Sequence, residues 1–149
     1  SFCLSKGLGA PFGSLVAGPK DLIEEARRYR QVFGGGMRQA GIMAAAGRYA
    51  LKHNVERLPE DHARAGRLAE GLAAIPGVTL PFGITPTNIV VFDIAGTGRT
   101  AQALAAALKE RGILVSVLGE TRFRALTHLD ISDEDIDQAL QEIGVCLKS

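Results

Sequence analysis

Lys6 lies in the run Phe2-Cys3-Leu4-Ser5-Lys6-Gly7-Leu8-Gly9-Ala10-Pro11. A short apolar stretch ends in Ser-Lys and breaks into a Gly/Pro turn, which places one amine at the end of a predicted buried strand. Partial desolvation frees an amine's lone pair, so a lysine held there is suited to imine chemistry. A solvated loop lysine is the ordinary alternative, because Lys is mostly an exposed residue. Arg122 and Arg124 form a second group. They stand two apart in a predicted strand, so period two puts both guanidinium groups on one face and Phe123 and Ala125 on the other. A planar guanidinium grips a carboxylate through two parallel hydrogen bonds. A surface arginine on an edge strand fits the same pattern. Third, Arg38 follows Gly34-Gly35-Gly36-Met37 at an expected helix start. Backbone N–H groups and a guanidinium together favour a phosphate or carboxylate there.

The elements that must hold these residues follow from period and punctuation. Residues 13–18 read as a short buried strand between glycines. Pro19 opens a helix with Asp21, Glu24 and Glu25 early and Arg27, Arg28 and Arg30 late, an order that complements the helix dipole. Gly34 to Gly36 stop it. Residues 37–53 form a second helix whose Ala44, Ala45, Ala46 and Gly47 permit close packing, and Asn54 breaks it. Residues 59–74 form a third, with Leu58, Ala65, Leu68, Leu72 and Ala73 on one stripe.

From there the period changes. Residues 78–80, 88–94, 113–117 and 122–127 read as strands, the second of them the most β-rich. Thr100 caps a helix that ends at Gly112. Ser132 and Asp135 form a capping box with Asp in the Glu position before a last helix. The predicted order from Asn88 is strand, helix, strand, strand, helix: a small open sheet with helices on one face. A boundary is expected near Asn54 and Val55, giving one domain at 1–54 and a second at 55–149.

Composition narrows the class. The chain has 149 residues, 46% of them hydrophobic, with a net charge of +1. These values suit a soluble globular protein, not a disordered one. They provide no field strong enough to draw nucleic acid or an anionic membrane, and aromatics are only 5%, too few for base-stacking platforms. No apolar stretch approaches the roughly 20 residues that span a bilayer. Cys3 and Cys146 have no metal-ligand spacing and make no disulfide framework, so no metal is expected, both thiols are expected to be reduced, and the expected compartment is the cytoplasm. His128 reads as a hydrogen-bonded structural residue between a strand and a helix, and His53 and His62 as solvent-facing.

The segment 5–14, Ser-Lys-Gly-Leu-Gly-Ala-Pro-Phe-Gly-Ser, resembles the cofactor-lysine segment of the threonine aldolases, pyridoxal-phosphate enzymes of the aminotransferase-like fold. Gly34-Gly35-Gly36-Met37-Arg38-Gln39-Ala40-Gly41 is similar to a second hallmark of that family, and Arg124-Ala125-Leu126-Thr127-His128-Leu129-Asp130 to a third. The three occur in the family's order over most of the chain. The resemblance implies an α/β fold: the end of a large pyridoxal-phosphate domain followed by a small α/β domain. It also implies an imine between Lys6 and pyridoxal 5′-phosphate, an Arg38 near the cofactor phosphate, and an Arg124 that clamps the α-carboxylate of an amino-acid substrate. Gly7 and Gly9 would let the backbone turn beside the cofactor, or simply make a turn. Arg122 has no assignment, and Gln31 stands where many family members carry a basic residue. Family members are more than twice this long and carry their lysine past the middle, so this chain is expected to be the C-terminal part of such an enzyme and inactive alone. The family's pyridine-nitrogen acid, its ring-stacking histidine and most of its phosphate loop fall in the N-terminal half. The implied assembly is a dimer-based homotetramer with shared sites. Two alternatives remain open: another enzyme of the same fold, such as a cysteine desulfurase or aminotransferase, and a non-catalytic α/β module for dimerisation or ligand binding.

Overall fold

A computed structural model describes residues 1–84 and 86–148. The chain divides into two compact units, Ser1–Glu56 and Arg57–Ser149.

In the first unit, β1 (Phe2–Cys3) pairs antiparallel with β2 (Ser14–Leu15), Phe2 opposite Leu15 and Cys3 opposite Ser14. Two helices follow, α1 (Lys20–Val32) and α2 (Gly41–His53). Pro19 precedes α1, where its fixed φ suits a helix start and its missing N–H costs nothing. The expected strand at 13–18 shrinks to two exposed residues, with Val16 beyond it exposed as well. Strand length is set by available partners, and this unit offers β2 only β1. The second helix starts at Gly41, not at Met37, because Arg38–Ala40 form a turn in which Gln39 takes a φ of 49°. That left-handed conformation is costly for a residue with a Cβ and incompatible with a helix start.

The second unit holds α3 (Leu58–Ala73), β3 (Ile89–Asp93), a 3₁₀ turn at Ala95–Thr97, α4 (Ala101–Glu110), β4 (Ser116–Val117), β5 (Arg122–Leu126) and α5 (Asp133–Lys148). The strands form an antiparallel sheet in the order β3-β5-β4. Thr100 caps α4 by accepting from the Ala103 N–H. Ser132 and Asp135 make the reciprocal box ahead of α5: the Asp135 N–H donates to Ser132 Oγ at 3.1 Å, and the Ser132 N–H to Asp135 Oδ2 at 2.8 Å. The strand expected at 113–117 keeps only Ser116 and Val117, and that at 78–80 reduces to one bridge between Thr79 and Asp93.

The alternation of β5 decides which face is inside. Phe123 and Ala125 are buried, while Arg122 and Arg124 are exposed. Phe92 stands opposite Phe123 in register, and their rings stack with centroids 4.9 Å apart. Against this inner face pack Ala65, Leu68 and Leu72 of α3, Leu104 and Leu108 of α4, and Ile136 and Ile143 of α5. The α3 residues recur at helical spacing, so one stripe of that helix is dry and the rest wet. Outside the core, Arg64 donates to Asp133 and Arg67 to Asp137, tying α3 to α5. The helices thus gather behind one face of the sheet, and the face carrying Arg124 has none of the core cluster on it.

Leu72 has no solvent exposure. Leu72→Ala should lower unfolding stability by about 3 kcal/mol, the usual range for a buried Leu truncation. Urea denaturation of the variant beside the parent checks this.

Candidate functional site

Lys6 projects from a loop that closes on itself. The Leu4 N–H donates to Gly13 O, the Ala10 N–H to Leu4 O, and the Gly9 N–H to Lys6 O, with Gly9 at a φ of 68°. That φ is one a Cβ disfavours, so the turn past the lysine depends on glycine at position 9. Leu4, Leu8 and Ala10 are buried, which leaves Lys6 exposed between anchored neighbours. Two contacts come from α2 and its end. Asn54 Nδ2 donates to Leu8 O at 2.7 Å, and a Cβ at Gly47 would fall 3.0 Å from Leu4 Cδ1, so the missing side chain admits Leu4. Neither residue had a signal beyond helix breaking and small size. Their partners lie more than 40 positions away in sequence, and only the folded chain brings them together.

The lysine is therefore not buried at the end of a strand. It is a solvent-facing amine on a fixed loop, and among the described residues it makes no ion pair with a carboxylate. Its charged neighbour is the Cys3 thiol. Hydrogen bonds from Ser5, side chain first and then backbone, with the nearby Lys6 ammonium assisting, lower the Cys3 pKa to about 7. Neither cysteine is in a disulfide, and Cys146 is buried.

Arg38 also belongs to the first unit. It is exposed in the turn before α2, three residues ahead of the first helical residue rather than inside the helix. The N-cap position of α2 is Ala40, which has no side chain able to cap the helix. Gln31 folds over Gly36, where a Cβ would fall 2.5 Å from its Oε1.

Arg124 lies in the second unit, mid-strand in β5, flanked in register by Val91 and Ser116. Arg122, two residues before it on the same face, is already engaged: its Nε donates to Asp93 Oδ2 at 3.1 Å. The Ala95 N–H donates to Asp93 Oδ1 at 3.0 Å. This backbone bond first, then Thr121 and Arg122, holds the nearly buried Asp93 carboxyl below the usual carboxylate range. Arg124 makes no ion pair among the described residues. The two arginines that the spacing could not separate are thus separated by Asp93. His128 keeps to its own turn, its Nδ1 accepting from the Asp130 N–H at 3.3 Å. His53 and His62 are exposed. A cavity of about 310 Å³ opens between the sheet and α5, lined among others by Phe92, Ala125 and Ile143; none of Lys6, Arg38 and Arg124 lines it.

An exposed primary amine on a rigid glycine turn, free of a carboxylate, fits a lysine that condenses with an aldehyde cofactor. The amine and Arg38 lie on the first unit, and the Arg124 fork lies on the second. This is the equipment of an α/β enzyme of the pyridoxal-phosphate-dependent, aminotransferase-like fold. Residues 1–95 match the family described as Beta-eliminating lyase. The chain is 40% identical over 139 residues to low-specificity L-threonine aldolase 1 of Arabidopsis thaliana, covering 93% of this chain and 39% of that protein. It is 43% identical over 136 residues to the low specificity L-threonine aldolase of Escherichia coli K12, covering 91% and 39%. In fold it is similar to Sphingomonas wittichii serine palmitoyltransferase, with a TM-score of 0.74 at 20% identity over 98% of this chain and 38% of that one. The chain belongs to the Beta-eliminating lyase family, and it spans about two fifths of the length of the curated relatives it matches. No helix among the described residues is long and apolar enough to cross a membrane.

Two measurements follow from this geometry. Cys3 alkylation by iodoacetamide should accelerate through a midpoint near pH 7, and Ser5→Ala should move that midpoint upward; peptide mass spectrometry separates Cys3 from Cys146. Because the Asp93 carboxyl is lowered in the folded state, its stabilisation is present above the unfolded value of about 4 and fades as pH falls below it. Asp93→Asn should therefore cost about 1 kcal/mol at pH 7, with the gap from the parent closing below about pH 4 in thermal melts.

Proposed function

We propose that this chain is the C-terminal part of a pyridoxal-phosphate-dependent threonine aldolase that cleaves L-threonine or L-allo-threonine to glycine and acetaldehyde. Residues 1–54 would end the large cofactor domain and 55–149 form the small one; the division of the structure between Glu56 and Arg57 supports that boundary. The observation that carries the proposal is the 40–43% identity to proteins named low-specificity L-threonine aldolase, together with an amine and a guanidinium that no carboxylate occupies among the described residues.

When bound, pyridoxal phosphate supplies the electron sink for the pair released as the Cα–Cβ bond of a β-hydroxy amino acid breaks. Lys6 would hold the cofactor through its Nζ, the primary amine that an aldehyde group takes. The closed loop of residues 4–13 fixes the backbone from which that side chain springs, so the amine would be presented from a held point on the chain. Arg124 takes the substrate α-carboxylate through two hydrogen bonds and so orients the carbon that carries the bond to be broken. Arg38 would answer the cofactor phosphate. His128 moves no proton in this reading, since its ring is held in its own turn.

We further place the enzyme in the cytoplasm, in glycine and threonine metabolism, and assembled as a dimer-based homotetramer. Support for the assembly comes from Val32, Phe33, Met37 and Ile42, all well exposed around the glycine turn before α2. Apolar side chains gathered on one segment are the usual mark of a surface that a partner covers.

The test uses the parent enzyme with pyridoxal phosphate and measures acetaldehyde from L-threonine, beside L-serine and L-cysteine. Threonine should be the preferred substrate; sulfur release from cysteine would instead indicate a desulfurase. Lys6→Ala should abolish turnover. Arg124→Lys should lower kcat/KM about 10- to 100-fold, mostly through KM, the size expected for a lost bidentate charged contact. The 149-residue chain alone should release no sustained acetaldehyde.

A further inference from the structure

Thr127 directly follows β5 and continues its inward alternation with a polar side chain. Phe123 and Ala125 precede it in the same alternation, and all three are buried, Thr127 at 1% exposure. A buried hydroxyl must find a partner. This one donates to the Asp61 carbonyl at 2.7 Å, in the first turn of α3 and 66 positions away in sequence. The Asn88 carbonyl lies 3.5 Å from the same oxygen, too far to compete for its single proton.

The backbone around Thr127 is held as firmly. Its N–H donates to Asn88 O at 3.0 Å, and Asn88 Nδ2 donates back to Thr127 O at 2.7 Å. At the other end of the contact, the Asp61 carboxylate has no exposure and is gripped by both terminal nitrogens of Arg57, at 2.6 and 2.9 Å. Arg57 is where the second unit begins. β5 is thus pinned at its end, on one side to β3 and on the other to α3. On the β4 side only Ser116 and Val117 pair with it. An apolar residue at position 127 would pack against α3 without fixing the height of the strand, because dispersion contacts have no preferred direction and a hydrogen bond does.

We propose that Thr127 is a positioning residue for the substrate-carboxylate site: its hydrogen bond to the first turn of α3 sets the height of β5, and hence the place of the Arg124 guanidinium three residues earlier. The inference rests on the reading of Arg124 as the carboxylate clamp. Thr127 touches no substrate and acts through the strand. Neither its type nor its place in the Arg-x-x-Thr-His segment shows this in the sequence, since Asp61 is far away along the chain.

Three variants of the parent enzyme, each loaded with pyridoxal phosphate, test it. Glycine affinity is read by calorimetry and L-threonine kinetics by acetaldehyde release, with a thermal melt of each variant. Thr127→Val keeps the volume and removes the donor; Thr127→Ser keeps the donor. The proposal expects Thr127→Val to weaken glycine about fivefold or more, the size of one net hydrogen bond, and to raise the KM for L-threonine with kcat within about twofold. Thr127→Ser should stay within about twofold of the parent in both. Glycine affinity unchanged in Thr127→Val, even with a lowered melting temperature, overturns the proposal. Equal losses in the Val and Ser variants also overturn it, because they would assign the effect to the methyl group. Arg124→Lys is the control. If it weakens glycine while Thr127→Val does not, the clamp stands and the positioning role falls. If Arg124→Lys leaves glycine binding untouched, the clamp and the positioning role fall together.

Discussion

The closure of residues 4–13 is the constraint on which the chemistry of this chain depends. Three backbone hydrogen bonds inside that segment, and the burial of Leu4, Leu8 and Ala10, leave the backbone of Lys6 little choice of position. A lysine on an open loop would lose most of its freedom each time it formed a covalent bond, and that ordering would oppose the bond. Here the backbone share of that ordering is done when the chain folds. The loop is also anchored from outside itself, by the Asn54 amide on Leu8 and by the space that Gly47 leaves for Leu4. The exposure of the amine is then a property of a rigid tip.

The second unit solves a related problem with a sheet. Its three strands have helices on one face only, so the alternation of β5 sorts its side chains cleanly: aromatic and aliphatic inward, guanidinium outward. The core holds the strand by area, and a few polar contacts fix its register. The Asp93–Arg122 pair closes one end of the β3–β5 ladder, and the Asn88–Thr127 pair closes the other. Between them Arg124 stands with Val91 and Ser116 as cross-strand neighbours, neither of which carries a charge to engage it. Among the described residues that guanidinium has no ion pair, which is the feature the proposed carboxylate role draws on.

Much of this was legible in the sequence, and the rest was hidden for identifiable reasons. The faces of β5, the Thr100 cap, the Ser132–Asp135 box and the stripe of α3 depend on residues within a few positions of each other, so local pattern suffices to read them. The lengths of β1, β2 and β4 depend on which partners the fold supplies, and the apolar runs around them read as longer than the strands that form. The start of α2 was misplaced because Gln39 adopts a conformation that its residue type disfavours. The roles of Asn54, Asp61, Asp93 and Thr127 rest on contacts that cross tens of residues. No single-chain pattern announces those. Of the candidate site, residue type and resemblance singled out Lys6 and Arg124; what strand spacing alone left equivalent, Arg122 and Arg124, differs in the folded sheet by the Asp93 carboxylate on Arg122.

The account stands or falls on where the cofactor attaches. Borohydride reduction of the parent enzyme with pyridoxal phosphate, followed by proteolysis and mass spectrometry, reads that site directly. The account predicts a phosphopyridoxyl group on the peptide containing Lys6 and on no other lysine, lost in Lys6→Ala. Stoichiometric label on a different lysine, or a Lys6→Ala protein labelled as fully as the parent, would contradict it.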